Sequence, residues 1–400
     1  MSRLLEGVRV LDLTNVLAGP FCGYQLAQMG AEVIKVEVPG SGDLARQLGA
    51  DPDLNKKLMG VSFLAQNASK KSMTLNLKSG KGRDLFLKLV SASDVVIENF
   101  RPGVMDRLDL GYPVLKSIRP EIIYCAISGF GQTGPLRDNP AYDQIIQGLS
   151  GVMSVTGGPD TAPMRVGYPV CDTIGGLTAA FAIASALFRR NVAGTGEFID
   201  VSMLEATLVT MGWAVSNYLI ADVAPQPMGN ENVTASPSGT FRTGDGLLNI
   251  AANKQEQFET LCRLLGREDL AADPRFTERE ARKRHRSALK AELELALADQ
   301  PAAHWETVLN RAGVPAGRVL SVPQVLDHPQ IAERGLVQRF PSVSGVGRDV
   351  AVVRAGVKLS QGDPGPRTPP PILGQHTDEI LSELGISAED REQLRRDGVI

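Results

Sequence analysis

Strand-like and helix-like segments alternate through the first third of the chain, and this alternation restricts its possible folds more than any other feature. Residues 8–13 form an apolar run typical of a buried strand, a helical pattern follows to Met29, and residues 32–36 form a second strand pattern. The order then returns as a helical pattern at 81–91 and strand patterns at 94–97 and 121–127. Such alternation predicts an α/β fold on a mainly parallel, open sheet.

Polar and glycine-containing loops follow several of these predicted strands. Residues 15–20, 98–103 and 128–135 each come directly after a strand pattern. Ligands of open parallel sheets collect beyond the carboxyl ends of the strands, so we expect these three loops to lie near one another around a site.

The later part of the chain changes in character. Residues 172–190 predict a long helix rich in glycine and alanine, and residues 224–239 are rich in Pro, Asn, Ser and Gly, which is typical of a linker. A smaller, mostly helical domain is expected over 247–318, with a strand at 248–251. From residue 319 we expect short strands and then an acidic helix from Thr377.

Composition and charge exclude several classes of function. The net charge of −3 over 400 residues argues against a general nucleic-acid binder. Four cysteines without CxxC spacing and four histidines outside the glycine-rich loops of the first half give no support to a metal site or a histidine mechanism. The N-terminal sequence and a longest apolar stretch of only about residues 177–188 predict a cytoplasmic protein with no membrane association.

Asp172 stands immediately before the small-residue helix and has two interpretations. An Asp at a helix start is a favoured N-cap. It is also a candidate nucleophile, because the helix dipole favours the ionised carboxylate, which can attack an activated acyl carbon. The adjacent Gly175 and Gly176 are expected to leave room for a thioester.

Glycine-rich loops and scattered basic residues are weaker signals. Residues 40–43 and 129–135 match neither phosphate-binding glycine pattern, so turns explain them as well as ligand binding does. Five basic residues near predicted strand ends could either meet phosphates or be solvated: Lys70, Lys71, Lys78, Arg101 and Arg107.

Taken together, the ordered segments resemble the class III CoA-transferases, the family of formyl-CoA transferase and carnitine CoA-transferase. The carrying segments are LDLT (11–14), VLAGP (16–20), GAEVIKVE (30–37), GSGD (40–43), ENFRPG (98–103), SGFG (128–131), DVSM (200–203) and LGQHT (373–377). Each is unspecific alone, and their order from about residue 5 to the C-terminus makes the resemblance specific.

The resemblance implies a particular architecture. A large, Rossmann-like open-sheet domain would be built from both chain ends, with residues 1–223 as its N-terminal part and residues 319–400 returning to it. The linker and small domain would occupy residues 224–318. The subunit would pair with itself as an interlocked homodimer.

It also implies the site residues and substrates. Asp172 would be the nucleophile, and CoA or acyl-CoA would bind as a substrate, with no permanently bound cofactor. Lys78 and Arg107 would meet the anionic end of CoA, and Asn99 and Phe100 its middle. The other implied CoA contacts are Val16, Leu75 and Met203. Asp143, after Tyr142, would lie near the site.

Three departures from the formyl-CoA branch bear on the substrate. Leu17 replaces a glutamine, Val38 replaces a basic residue, and residues 230–237 replace a glycine run. The chain looks more like the branch that uses succinyl-CoA and small dicarboxylates. A cation for the far carboxylate is then expected, with Arg46 and Arg165 as candidates.

Two other functions remain open from the sequence. A 2-methylacyl-CoA racemase resembles this family in fold, but that branch places a histidine in the segment that reads AYDQ (141–144) here. A non-catalytic CoA-binding protein would keep Lys78, Asn99 and Arg107 without needing Asp172.

Overall fold

A computed structural model describes residues 3–400 of the chain, and its largest sheet has six parallel strands. Its strands are β1 (Arg9–Asp12), β2 (Glu32–Glu37), β3 (Lys70–Thr74), β4 (Val95–Glu98), β5 (Ile123–Ser128) and β6 (Glu197–Ser202). They lie in the order β3-β2-β1-β4-β5-β6 and all pair in parallel, so the predicted parallel sheet is confirmed. The strand order switches direction between β1 and β4, from which successive strands are added toward opposite edges, and sheets of this order bind ligands at that point.

The central strands are apolar on both faces because helices cover both sides of the sheet. Val10 and Leu11 of β1 are fully buried, and so are Val95, Val96 and Ile97 of β4. Val10 pairs with Val33 on one side and with Val95 on the other. This continuous burial explains why the sequence shows apolar runs here and no alternation with polar residues.

Eleven α-helices lie between β1 and residue 223. They are α1 (Ala18–Met29), α2 (Pro52–Lys56), α3 (Val61–Leu64), α4 (Gly80–Ser91), α5 (Val104–Arg107), α6 (Tyr112–Ile118), α7 (Asp143–Leu149), α8 (Val152–Val155), α9 (Val170–Ala193), α10 (Met203–Thr210) and α11 (Trp213–Ala221). Of these, α1, α4, α7 and α9 contribute residues to the apolar cores that contain the strands of this sheet. Gly30 ends α1 in the left-handed conformation, with φ 111°, as expected of a C-terminal glycine.

Helix α9 extends further than the sequence indicated, and its glycines serve packing. A Cβ on Gly176 would lie 2.4 Å from the carbonyl oxygen of Ala18, and one on Gly175 would lie 2.9 Å from Cγ of Met203. The expectation that these glycines leave room for a thioester is therefore wrong. By length and composition alone α9 could cross a membrane, a test that core helices of soluble proteins also meet.

The chain divides into two compact units. The first comprises the residues up to Val152, Arg165–Val223 and Ala332–Ile400; the second comprises Met153–Met164 and Ala224–Ile331. This division assigns residues 153–164 and 319–331 to the second unit, whereas the sequence placed both segments with the large domain.

The second unit has its own sheet and core. The antiparallel strands β7 (Ser238–Arg242), β8 (Leu247–Ala251) and β9 (Ala316–Arg318) pair in that order. Its helices are α12 (Gln255–Leu264), α13 (Glu268–Ala272), α14 (Arg279–Arg284), α15 (Arg286–Leu297), α16 (Ala302–Arg311) and α17 (Val322–Leu326), and α18 (Pro329–Glu333) follows at its boundary. Phe241, Leu248 and Phe258 lie in its apolar core.

The C-terminal segment belongs to the first unit. It forms the antiparallel pair β10 (Val337–Phe340) and β11 (Val350–Val353), then α19 (Thr377–Glu383) and α20 (Ala388–Arg396). The N–H of Thr74 in β3 donates to Oγ1 of Thr377 at 3.0 Å, and the N–H of Ser72 donates to Nδ1 of His376 at 3.1 Å. These bonds attach the start of the predicted acidic helix to the edge of the parallel sheet.

Candidate active site

A cavity of about 360 Å³ opens at the carboxyl end of the parallel sheet and contains Asp172. Its wall combines residues that follow β1, β4 and β5, so the three loops that were expected to converge do border one site. The lining residues used below are Asn15, Val16, Leu17, Ala18, Asn99, Phe100, Arg101, Ser128, Tyr142, Asp172 and Met203.

Asp172 lies in the first turn of α9, but it is not the helix cap. The capping residue is Pro169, and no side chain caps this helix end from that position. The N-cap prediction for Asp172 is therefore wrong. Burial of the carboxyl group, and then the nearby negative charge of Asp143, raise the pKa of Asp172 to about 7. The expectation that the helix dipole keeps this carboxylate firmly ionised is corrected accordingly.

Asp143 occupies the position at the start of α9 that a capping carboxylate would take. Its Oδ1 accepts the backbone N–H of Cys171 at 2.8 Å and that of Asp172 at 3.3 Å. Its Oδ2 accepts a bond from Nε2 of Gln147 at 2.6 Å. Asp143 thus fixes the helix turn that carries Asp172.

Gln147 extends this network, and the sequence reasoning missed it. Its Oε1 accepts the N–H of Val166 at 2.8 Å, and its Nε2 donates to the carbonyl of Tyr168 at 3.3 Å. The side chain is fully buried, so these bonds hold the segment that leads into α9. The spacing of four residues from Asp143 on α7 was the available signal, because such pairs share a helix face.

The loop after β1 is held at two neighbouring residues. Asn99 accepts the N–H of Asn15 through Oδ1 and donates to the Asn15 carbonyl through Nδ2, both at 2.8 Å. Val16 donates its N–H to Oδ1 of Asp43 at 2.9 Å and has a positive φ of 69°. The Asn99 side chain, which the resemblance assigned to CoA, is thus bound to the protein backbone.

A second cavity of about 450 Å³ shares Asn15 and Phe100 with the first. Leu75 and Lys78 also border it, together with the exposed Val38. Of the CoA contacts implied by the resemblance, Val16, Asn99, Phe100 and Met203 border the cavity around Asp172, while Leu75, Lys78 and Phe100 border the second one.

Arg107 stands apart from both groups. It ends the short helix α5 and is exposed, and its guanidinium lies beside Gly103, where an added Cβ would come within 3.2 Å of Nη1.

Two of the basic residues that could have met phosphates instead form ion pairs with carboxylates of the protein. Lys70 is fully buried, and its Nζ lies 2.8 Å from Oδ2 of Asp12. Lys71 pairs with Glu32 at 2.8 Å and Glu379 at 2.7 Å. Neither lysine borders the two cavities.

The two arginines expected to bind a dicarboxylate occupy different environments. Arg46 is fully buried; its Nε and Nη2 bind both oxygens of Glu37 at 2.6 and 2.8 Å, and its guanidinium carbon lies 3.6 Å from the ring centre of Phe63. These contacts give Arg46 a structural role and leave it no free face for a substrate. Arg165 is exposed next to Val166.

Arg101 is the one cation among the described residues that border the Asp172 cavity. The sequence reasoning placed it among five basic residues and did not separate it from the others. Of the remaining residues expected near the substrate, Leu17 borders this cavity, whereas Asp143 does not line it and binds the backbone of Asp172 instead.

A family model described as CoA-transferase family III matches residues 5–377. The chain belongs to CoA-transferase family III. The resemblance seen in the ordered sequence segments is therefore confirmed, and the chain is an enzyme of this class.

Curated relatives and a solved structure agree with this assignment. An acetyl-CoA:oxalate CoA-transferase from Acetobacter aceti is 43% identical over 348 residues, 87% of this chain and 88% of the relative. The succinyl-CoA:glutarate CoA-transferase of Mus musculus is 37% identical over 380 residues, 95% of this chain and 86% of the relative. A CAIB/BAIF family protein from Brucella suis superimposes with a TM-score of 0.84 at 35% identity, covering 96% of this chain and all of that one.

Proposed function

We propose that this family III enzyme transfers CoA from succinyl-CoA to a small carboxylic or dicarboxylic acid through an aspartyl-CoA thioester on Asp172. The observation that carries the proposal is the placement of Asp172 in a cavity at the carboxyl edge of the sheet, with a carboxyl pKa of about 7. Near neutral pH a large fraction of this carboxylate is ionised, as a nucleophile requires, and its raised pKa makes it more nucleophilic than an ordinary Asp.

The chemistry balances without a metal or a nucleotide. The Asp172 carboxylate attacks the thioester carbonyl, the C–S bond breaks, and a mixed anhydride and CoA thiolate result. The thiolate attacks the aspartyl carbonyl, which forms the aspartyl-CoA thioester and releases succinate. The acceptor carboxylate then runs these steps in reverse, and the energy of the thioester is retained throughout.

Backbone N–H groups at the start of α1 are suited to stabilise the tetrahedral oxyanions. Leu17 and Ala18 border the cavity and begin this helix, whose first N–H groups have no intrahelical acceptor. The nearby loop residues Asn15 and Val16 are held by hydrogen bonds at fixed positions. Such preorganisation supports a role in the transition state.

The second cavity supports a path for the rest of CoA. Phe100 borders both cavities, so the pantetheine arm would pass it on the way to Asp172. Lys78 would meet the phosphates, as would Arg107 beyond the cavity. Leu75 would pack against the apolar part of the arm.

Relatives and charge support a dicarboxylate acceptor. Relatives named for glutarate, mesaconate and citramalate span nearly the whole chain. Arg101 would bind the far carboxylate, since it is the cation at the cavity that contains Asp172. Arg165 remains a second candidate because it is exposed just before the segment held by Gln147.

An apolar surface supports the interlocked homodimer. Phe181 is 75% exposed, Val209 79%, Trp213 77% and Ile220 85%, all on α9–α11 of one unit. Large exposed apolar side chains concentrated on three successive helices are typical of a protein interface. Light scattering should give twice the mass of 42.8 kDa.

One experiment tests the covalent step. The protein is incubated with succinyl-CoA and hydroxylamine, and the peptide that contains Asp172 is weighed by mass spectrometry. A hydroxamate on Asp172 supports the proposal. It should be lost in Asp172→Asn and retained in the control Asp160→Asn, which changes an exposed Asp. Intact CoA binding without hydroxamate from any acyl-CoA tried would favour a non-catalytic binding protein instead.

A second incubation, with a 2-methylacyl-CoA in heavy water, separates the transferase from a racemase. A racemase exchanges the α-proton of a 2-methylacyl-CoA and needs a pair of proton-transfer groups. No histidine borders the Asp172 cavity among residues 3–400. Deuterium uptake from heavy water into 2-methylacyl-CoA, without CoA transfer, would favour the racemase.

A further inference from the structure

Val16 has a backbone conformation that its side chain disfavours. Its φ of 69° lies in the left-handed region, where a β-branched residue is a genuine outlier. The residue borders the Asp172 cavity and precedes the start of α1 by two positions. Strain that persists at such a place requires surrounding groups that hold it.

Asp43 is the group that holds Val16 from one side. Its Oδ1 accepts the N–H of Val16 at 2.9 Å and that of Ala45 at 2.8 Å. The side chain comes from the loop after β2, far along the chain from Val16, and only 1% of the residue is exposed. One buried oxygen therefore joins the loop after β1 to the loop after β2.

Lys35 fixes this carboxylate and the same loop together. Its Nζ lies 2.9 Å from Oδ2 of Asp43, and both side chains are fully buried. The same Nζ donates to the carbonyl of Thr14 at 2.6 Å. The ion pair thus touches the backbone of the loop at Thr14 through Lys35 and at Val16 through Asp43.

Asn99 holds Asn15, the residue between Thr14 and Val16. Its two bonds to the backbone of Asn15, both at 2.8 Å, come from the end of β4 on the opposite side of β1. Thr14 is therefore bound to β2, Asn15 to the end of β4, and Val16 to the loop after β2. The turn at Val16 directs the chain toward Leu17 and Ala18, which face the same cavity as Asp172.

We propose that Asp43 is a positioning residue for CoA transfer. Paired with Lys35, it holds Val16 in the left-handed conformation and so fixes the wall of the cavity and the start of α1 beside Asp172. The inference rests on the proposed function for its effect on turnover. The contacts of the Lys35–Asp43 pair with the backbone of Thr14 and Val16, called the clamp below, can be measured without any substrate.

A double-mutant cycle between Asp43 and Val16 tests the clamp. Glycine enters the left-handed region without steric cost, so it needs no clamp there. Asn has a single accepting oxygen, so it cannot accept both from Val16 and from Lys35, as the two oxygens of Asp43 do. We therefore expect Asp43→Asn to lower kcat with succinyl-CoA and glutarate about tenfold or more in the wild-type background. In the Val16→Gly background the same change should lower kcat by no more than about threefold.

A matched control separates positioning from stability. Asp51 accepts backbone N–H groups at the start of α2 and pairs with Arg348, but it does not touch Val16. Asp51→Asn should lower the melting temperature with kcat retained at 25 °C. An equal loss of kcat from Asp43→Asn in both backgrounds would overturn the proposal, since it would show a general loss of structure.

Amide hydrogen exchange gives a readout that does not depend on the reaction. In substrate-free protein, Asp43→Asn should speed exchange of the Val16 amide at least about tenfold, while amides in the middle of β1 keep their protection. Unchanged exchange at Val16 would overturn the clamp. Absence of CoA transfer by the wild-type protein would instead contradict the proposed function and leave this exchange test valid.

Discussion

The carboxylate of Asp143 accepts the backbone N–H of Asp172, with 3.3 Å between Asp172 N and Asp143 Oδ1. The N–H of Cys171 donates to the same oxygen at 2.8 Å. Two donors at the start of α9 are therefore directed at Asp143, and its negative charge lies close to the Asp172 carboxyl group. Burial of the Asp172 carboxyl group, and then this neighbouring charge, raise its pKa although it lies in the first turn of a helix.

The first prediction concerns the pH dependence of the reaction. The nucleophile is ionised above its pKa, so kcat/KM for succinyl-CoA should fall as the pH decreases through about 7. Asp143→Asn removes the neighbouring charge and keeps an oxygen that can accept the two N–H groups. We expect the pKa of Asp172 to decrease and the acid limb to move on the order of one pH unit lower.

The measurement is the pH profile of kcat/KM for both proteins, with the exposed Asp138→Asn as a control. The control should follow the wild-type profile. An acid limb that stays in place in Asp143→Asn would mean that Asp143 does not influence the ionisation of Asp172.

The sheet and the position of its site could be predicted from the sequence because local pattern determines them. Apolar runs such as residues 94–97 become strands buried on both faces, and loops that follow parallel strands meet at one edge. The ordered family segments implied that Asp172 is the nucleophile. The loops that follow β1, β4 and β5 do border one cavity, and Asp172 lines it.

Contacts between distant residues account for what the sequence did not reveal. Arg46 resembled a free cation because its partner Glu37 lies across a turn, and Asp172 resembled a cap because Asp143 is far away in sequence. The positive φ of Val16 contradicts its local preference and depends on Asp43. Local rules fail at such positions because the surrounding fold imposes the conformation.

The second prediction identifies the cation that selects dicarboxylates. Arg101→Gln removes the positive charge at the Asp172 cavity, so a dicarboxylate acceptor should lose an ion pair. We expect KM for glutarate to rise about tenfold, equivalent to about 1.4 kcal/mol, with little change for butyrate. The matched variant is Arg165→Gln. A selective effect on glutarate in Arg165→Gln alone would transfer the role to Arg165.

The third prediction concerns a buried carboxyl group beside the site. Glu98 accepts the N–H of Phe100 at 2.7 Å and lies 3.3 Å from the hydroxyl of Tyr124. Burial, with smaller effects from Asp106 and Asp200, raises the pKa of Glu98 from 4.5 to about 7. Between those pH values the folded protein keeps a proton that the unfolded chain has lost, so stability should decline as pH rises.

Glu98→Gln mimics the protonated group and removes this penalty. Above about pH 7 it should raise the free energy of unfolding by up to about 3 kcal/mol relative to wild type, and near pH 4 the difference should largely vanish. Urea unfolding at both pH values measures the effect, with the more exposed Glu121→Gln as the control. A stabilisation that is equal at both pH values would contradict the assignment to ionisation.

The fourth prediction concerns the close approach of α9 and α1. Alanine inside a helix is normally more stable than glycine by up to about 1 kcal/mol. At Gly176, however, the new Cβ would lie 2.4 Å from the carbonyl oxygen of Ala18, and this backbone atom cannot rotate away. Gly176→Ala should therefore lower the free energy of unfolding by about 1–3 kcal/mol.

Gly80 provides the comparison, because it also lies in a helix and an added Cβ there meets no atom within 4 Å. Gly80→Ala should leave the urea midpoint unchanged or raise it slightly. Gly176→Ala should also lower kcat below the unfolding temperature, since moving α1 displaces Leu17 and Ala18 relative to Asp172. Stability and turnover that are both unaffected by Gly176→Ala would show that the two helices can separate without disturbing the site.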